Sequence, residues 1–225
     1  AMGAGRWSAL PSPGAVSGDA VTLRSHALAE LFLDRYGVVT RGSVMTAGVS
    51  GGFGLMYKVL ARLEETGKCR RGYFIEHLGA AQFAVSATVD RLRTFSQDAA
   101  LNPRPPQALA LAATDPANPY GAALAWPPLD SGHRPGRKAG ALVVMVDGAL
   151  VLYVERGGRT LLCFSDVDAS VQLAAAALVQ VVRRGGVDKL AMEKVNGLDI
   201  LDTPLAAALL DAGAYSTPRG VRIRA

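Results

Sequence analysis

Five cations, Lys58, Arg62, Lys68, Arg70 and Arg71, fall between positions 58 and 71, with Glu64, Glu65 and Glu76 among or just beyond them. Cations at this density are enough for phosphate contacts, which position a nucleic-acid backbone without reading its bases; the alternative is a protein-docking or structural module whose Lys and Arg are merely solvated. A second basic group, Arg134, Arg137 and Lys138, lies in "SGHRPGRKAG" with His133. Its Pro- and Gly-rich setting suits either a phosphate-contacting arm or a solvated loop. Other chemistry is sparse. There is no GxxxxGK[ST], and Gly67-Lys68 lacks both the upstream glycine and the following Ser or Thr, so a self-contained P-loop NTPase is excluded. His26, His77 and His133 stand singly, and Cys69 and Cys163 have no CxxC partner, so no metal site is expected. The carboxylates Asp115, Asp147, Glu155, Asp166, Asp168 and Glu193 do not converge in sequence; Asp147 reads as a turn residue and Asp168 as a helix cap. In "ATDPANPYGAALAWPP" two X-Pro corners fix a rigid loop. That loop either presents Asp115, Asn118 or Tyr120 to a substrate or is a scaffold corner in which Asp115 accepts backbone N–H groups.

The elements that must carry these residues follow from periodicity. The chain has 225 residues, half of them hydrophobic, which is enough for two domains with real cores. A net charge of +5 favours an anionic partner only mildly. No apolar stretch is long enough to span a bilayer, and two separated cysteines suit a reducing compartment, so a cytoplasmic protein without a membrane partner is expected. Residues 1–21 read as a linker or tag remnant, and the chain as a piece of something longer. Leu28, Leu31, Phe32 and Arg35 share a helical face that stops at Gly37, and Thr40 caps a short second helix ending at Gly48. A third helix carries Phe53, Met56, Tyr57, Leu60 and Leu63 inward and Lys58 and Arg62 outward. After Gly67, residues 69–75 and 82–85 read as paired strands. Three helices and a hairpin are the order of a winged helix-turn-helix module, with the cations on its third helix and wing. Tyr73 and Phe74 are neighbours on a strand, so one faces the core and the other is free to stack on a base or be covered by a neighbouring domain.

The winged-helix domain is assigned to 22–97, a Pro-containing linker to 98–106, and a β-rich domain to 107–225. In the last, Asp147-Gly148 and Gly157-Gly158 separate three apolar strands as a meander, an Ala-rich helix spans 168–184, and a short one opens at Thr203-Pro204. The expected class is α+β: a winged helix followed by a curved sheet or small barrel-like domain with covering helices.

The runs "RYGVVTRGSVMTAGVSGGFGLMYKVLARLEETGKCRRGYFIEHLGAAQFA", "ATDPANPYGAALAWP", "RKAGALVVMVDGALVLYVERGGRTLL" and "TPRGVRIR" closely resemble the C-terminal part of bacterial Lhr proteins, large helicase-related ATPases of superfamily 2. The resemblance covers nearly everything from Leu23 onward. It implies a parent with two RecA-like helicase domains that use ATP and Mg, and a tail of winged helices and a β-barrel. That tail is itself similar to AlkZ-type DNA glycosylases, which act in DNA repair. The Gln-x-Gln or Gln-x-Asp motif of those enzymes is missing here: Gln82 sits in "AQFAV", and Gln97-Asp98 are adjacent. The expectation is therefore a nucleic-acid-binding and assembly region of an Lhr-type ATP-dependent DNA helicase, with no cofactor and no ATPase of its own. Its partners would be DNA or a DNA/RNA hybrid, the helicase domains of the parent chain, and a further copy of itself. A glycosylase domain acting on damaged bases and a pure homo-oligomerisation module are the alternatives.

Overall fold

A computed structural model describes residues 18–79, 81–101, 104–129 and 132–224, with only the backbone over 96–101. Most of the expected 1–21 linker lies outside the described residues. The described chain divides into two compact units, up to Ser96 and from Gln97.

In the first unit α1 (Gly18–Tyr36) is followed by β1 (Val38–Val39), α2 (Arg41–Thr46), α3 (Gly52–Glu65), β2 (Arg70–Gly72) and β3 (Gln82–Ala84), and α4 (Ser86–Leu101) begins in it. Phe32, Leu33, Val39, Val44, Met56, Leu60, Leu63 and Phe83 form its core. The buried face of α1 runs through Ser25, Ala29, Phe32 and Leu33, while Leu31, expected on it, is 52% exposed. A residue one position from the buried Phe32 is turned about 100° around the helix, and the α3 stripe selects which side is covered. Thr40 and Ser43 form a reciprocal capping box that starts α2. Gly67, at φ 74, ends α3 by letting the Lys68 N–H return to the Leu63 carbonyl at 2.9 Å. The strands form one antiparallel sheet in the order β1-β3-β2. Helix α4 runs to Leu101, into the segment expected to be linker, because no Gly or Pro interrupts 86–101.

The second unit contains β4 (Ala108–Ala112), β5 (Leu142–Val146), β6 (Ala149–Val154), β7 (Thr160–Cys163), α5 (Asp168–Arg183), β8 (Lys189–Met192), β9 (Lys194–Val195), β10 (Leu198–Asp199), α6 (Pro204–Asp211), β11 (Tyr215–Thr217) and β12 (Gly220–Arg224). Asp147 and Gly148, at φ 48 and 85, make the β5–β6 hairpin turn. A six-stranded sheet runs β10-β9-β7-β6-β5-β4 and a three-stranded one β11-β12-β8. Both sheets are open, so the barrel-like closure expected for this domain is not formed among the described residues: β10 and β4 stand at the edges of the larger sheet. The larger sheet is covered on both faces instead. Val144, Leu152, Val154 and Leu161 pack with Val171, Ala175, Leu178 and Val179 of α5. Val143, Met145, Tyr153 and Leu162 pack with Tyr120, Trp126 and Leu129 of the β4–β5 connection. Two buried faces explain why β5 and β6 are apolar at nearly every position. Among the described residues no helix is long and apolar enough to cross a membrane.

Candidate nucleic-acid interface

The five cations lie on α3 and the strand that follows it, and the structure separates them by what they touch. Arg62 Nη1 donates to Glu65 Oε2 at 2.6 Å, and Lys68 Nζ to Glu30 Oε1 at 3.1 Å. Arg71 donates to the Tyr57 hydroxyl and lies 3.4 Å from Glu64 Oε2, while Glu64 Oε1 accepts the Arg71 backbone N–H. Among the described residues Lys58 and Arg70 are exposed and have no ion pair or hydrogen bond for their charged groups. The Arg62 and Lys68 pairs are exposed and contribute little, so either is broken at small cost. Arg71 is more firmly held, since its guanidinium also lies 5.9 Å from the centre of the Tyr57 ring.

One buried side chain sets the shape of the wing. Gln82 is fully buried; its Oε1 accepts from the N–H groups of Phe74 at 3.1 Å and Ile75 at 2.8 Å, and its Nε2 donates to the carbonyls of Ile75 at 2.8 Å and Gly79 at 2.9 Å. The β2–β3 ladder ends at Gly72 and Gln82, and this amide continues it by side chain. From the sequence Gln82 reads as the first residue of the second wing strand and as lying outside a catalytic motif, with no sign of this clamp. The available signal was a lone polar residue between Ala81 and Phe83 in an otherwise apolar strand. Beyond β2 the two aromatics part: Phe74 folds over Gly72, where a Cβ would lie 3.0 Å from the ring, and Tyr73 is 71% exposed.

The second basic group divides differently. Arg137 does not reach outward: Nη1 donates to the carbonyls of Asn118 at 2.7 Å and Tyr120 at 3.3 Å, and Nη2 to those of Thr114 at 3.2 Å and Asp115 at 2.9 Å. Asn118, 1% exposed, closes the same turn by donating to Ala113 O and accepting from Tyr120 N. Asp115 Oδ1 accepts the Ala117 N–H, and the Tyr120 hydroxyl bridges Gly148 O and Leu150 N. The 113–120 loop is therefore a scaffold corner, with Arg137 as its clamp. Arg134 and Lys138 remain exposed.

Other chemistry stays dispersed. Asp147 Oδ1 accepts the Gln107 N–H, Glu193 pairs with Arg159 at 2.7 Å, and Glu155 lies 3.4 Å from His133. Asp166 and Asp168 line a cleft of about 300 Å³ with Cys163, Asn196, Thr203 and Leu205. Burial pushes the Cys163 and Cys69 thiols up from the ordinary value by disfavouring the thiolate. No group of three metal-binding side chains converges among the described residues.

Helices α1, α2 and α3 feeding the β1-β3-β2 sheet, with a hairpin standing beside the third helix, define a winged-helix protein in the first unit. The family model for the winged-helix domain of the large helicase-related protein matches residues 18–104. The chain is 53% identical over 230 residues to the "Lhr helicase/ probable uracil glycosylase" of Mycolicibacterium smegmatis, a match covering 98% of this chain and 15% of that protein. It is 38% identical over 219 residues to the "Lhr helicase/uracil glycosylase" of Escherichia coli, covering 97% of this chain and 14% of that one. The chain belongs to the Lhr family and corresponds to the C-terminal region of its helicases, spanning about one seventh of the length of these two relatives.

Proposed function

We propose that this region binds nucleic acid for the helicase of which it is a part and helps to assemble it, while the ATP- and Mg-dependent motor lies elsewhere in the parent protein. The observation that carries the reading is the pair of uncommitted cations, Lys58 on α3 and Arg70 on the wing, on the two elements with which a winged helix meets DNA. Arg62 and Lys68, in weak exposed pairs, join them, and Arg134 and Lys138 offer a second contact. Fluorescence anisotropy with DNA and DNA/RNA hybrid oligonucleotides across a salt series tests this. Lys58→Ala and Arg70→Ala should each lower the log-log salt slope by about 0.7–0.9 while leaving the melting temperature unchanged. Arg71→Ala should change the slope less and lower the melting temperature, because it removes the contacts to Tyr57 and Glu64. Binding by Lys58→Ala and Arg70→Ala that matches the parent at every salt concentration would falsify the phosphate role.

A second reading, excision of uracil, is favoured by the names of both relatives. On this reading the 300 Å³ cleft would take a flipped base, with Asp166 and Asp168 as the carboxylates that line it. Abasic-site formation on a uracil-containing strand, lost in Asp166→Asn or Asp168→Asn, is its signature. Equal activity in both variants removes the cleft from consideration.

A further inference from the structure

Tyr73 is the large side chain that folding leaves most conspicuously without a use. It is 71% exposed, and among the described residues it has no ring contact, hydrogen bond or ion pair. Its neighbour Phe74 already covers Gly72 and packs with Val38, Ala84 and Val89, so the wing's hydrophobic anchor is supplied without it. The backbone that carries it is not slack. The N–H groups of Phe74 and Ile75 are both held by the buried Gln82 amide, whose other end holds Ile75 and Gly79. With the backbone held on both sides of Tyr73, little main-chain freedom is left to be lost on binding, and only the rotation of the ring has to be ordered.

Resting on the nucleic-acid reading above, we infer that Tyr73 is a base-stacking residue, so that the wing prefers unpaired bases, as in a single strand or at a junction, to continuous duplex. Three residues away is Arg70, whose guanidinium is uncommitted, and β2 also holds Arg71. A phosphate contact and an aromatic face one short strand apart are the two parts of a single-strand site: the cation follows the backbone and the ring takes a base, whichever base it is. In paired DNA every base face is already stacked, and only the phosphate part is used. A protein surface could also cover Tyr73, but an uncommitted arginine three residues back along the wing favours the polyanion.

The test uses the 225-residue chain with two fluorescent oligonucleotides of equal length and charge density per strand, one single-stranded mixed sequence and one blunt duplex. Tyr73→Ala should weaken single-strand binding roughly 10- to 100-fold and duplex binding little, with an unchanged salt slope. Tyr73→Phe should bind like the parent, since it keeps the ring, and both variants should melt with the parent because the side chain is exposed. If the parent binds and Tyr73→Ala binds both oligonucleotides as the parent does, the stacking role is overturned while the phosphate reading stands. Tyr73→Phe as weak as Tyr73→Ala overturns it too, for the hydroxyl would then carry the contact. A parent that binds neither oligonucleotide brings down the nucleic-acid reading and this inference with it.

Discussion

Gln82 shows how much one side chain can decide. A primary amide has two donors and two acceptor sites, and here both ends are used against backbone groups that the short β2–β3 ladder does not reach. Replacing it with Ala leaves two N–H groups and two carbonyls of the wing without partners, at a cost of about 2–4 kcal/mol. Gln82→Ala is therefore expected to lower the melting temperature of the first unit and to raise amide exchange at Phe74 and Ile75, the two N–H groups it accepts. Gln82→Glu discriminates further, since a carboxylate keeps the acceptors and loses the donors to Ile75 and Gly79; protection should survive at Phe74 and Ile75 while stability falls. Unchanged exchange in both variants would show that the wing is held by something else. The cations were legible in the sequence as a set but not as individuals. Lys68 is paired with Glu30, 38 residues earlier, and Arg137 is absorbed by carbonyls 17 to 23 residues away. Long-range partners of this kind leave no local mark, so charge alone could not separate Arg70 from Arg137.

Among the elements, those with an uninterrupted period were readable and those fixed by their neighbours were not. The α3 stripe of Met56, Leu60 and Leu63 is buried as its spacing requires. The Asp147-Gly148 turn lies between the strands it was expected to join. By contrast β1 is only Val38–Val39, too short to show alternation, and exists because β3 offers it a partner. The open edges of the larger sheet are likewise a matter of tertiary pairing. The last strand is held at a tight crossing: Gly220 has φ 137, and a Cβ there would fall well inside van der Waals contact of the Met192 carbonyl oxygen. This close approach lets β12 lie against β8, with Val221 opposite Met192. Gly220→Ala combines backbone strain with a collision against backbone that cannot rotate away, and should cost about 3 kcal/mol or more. Thermal unfolding followed by the fluorescence of Trp126, which packs on Tyr153 in the second unit, reads this directly; a melting temperature equal to the parent's would mean that β12 shifts to accommodate the methyl.

At the scale of the whole chain, the reading proposed above is of a module that holds a polyanion while the motor of the parent protein works on it. Its net charge is +5, and its sequence contains no GxxxxGK[ST], so nothing of P-loop type is present to cradle a triphosphate. If binding is the region's contribution and turnover the motor's, the isolated chain should hold oligonucleotides equally well with and without ATP. The comparison must be made at matched ionic strength and free magnesium, because a divalent ion competes for phosphate as salt does and would otherwise imitate a nucleotide effect. We therefore expect the same dissociation constant in the presence of ATP, ADP or neither, and no phosphate release above the rate in buffer, with or without DNA. Release that rises with DNA and tracks the protein through a final purification step would mean that the region carries an ATP site of a kind its sequence does not announce. An affinity shift by ATP without release would instead point to nucleotide competing for the cations at Lys58 and Arg70, and Arg70→Ala should then abolish that shift together with part of the salt slope.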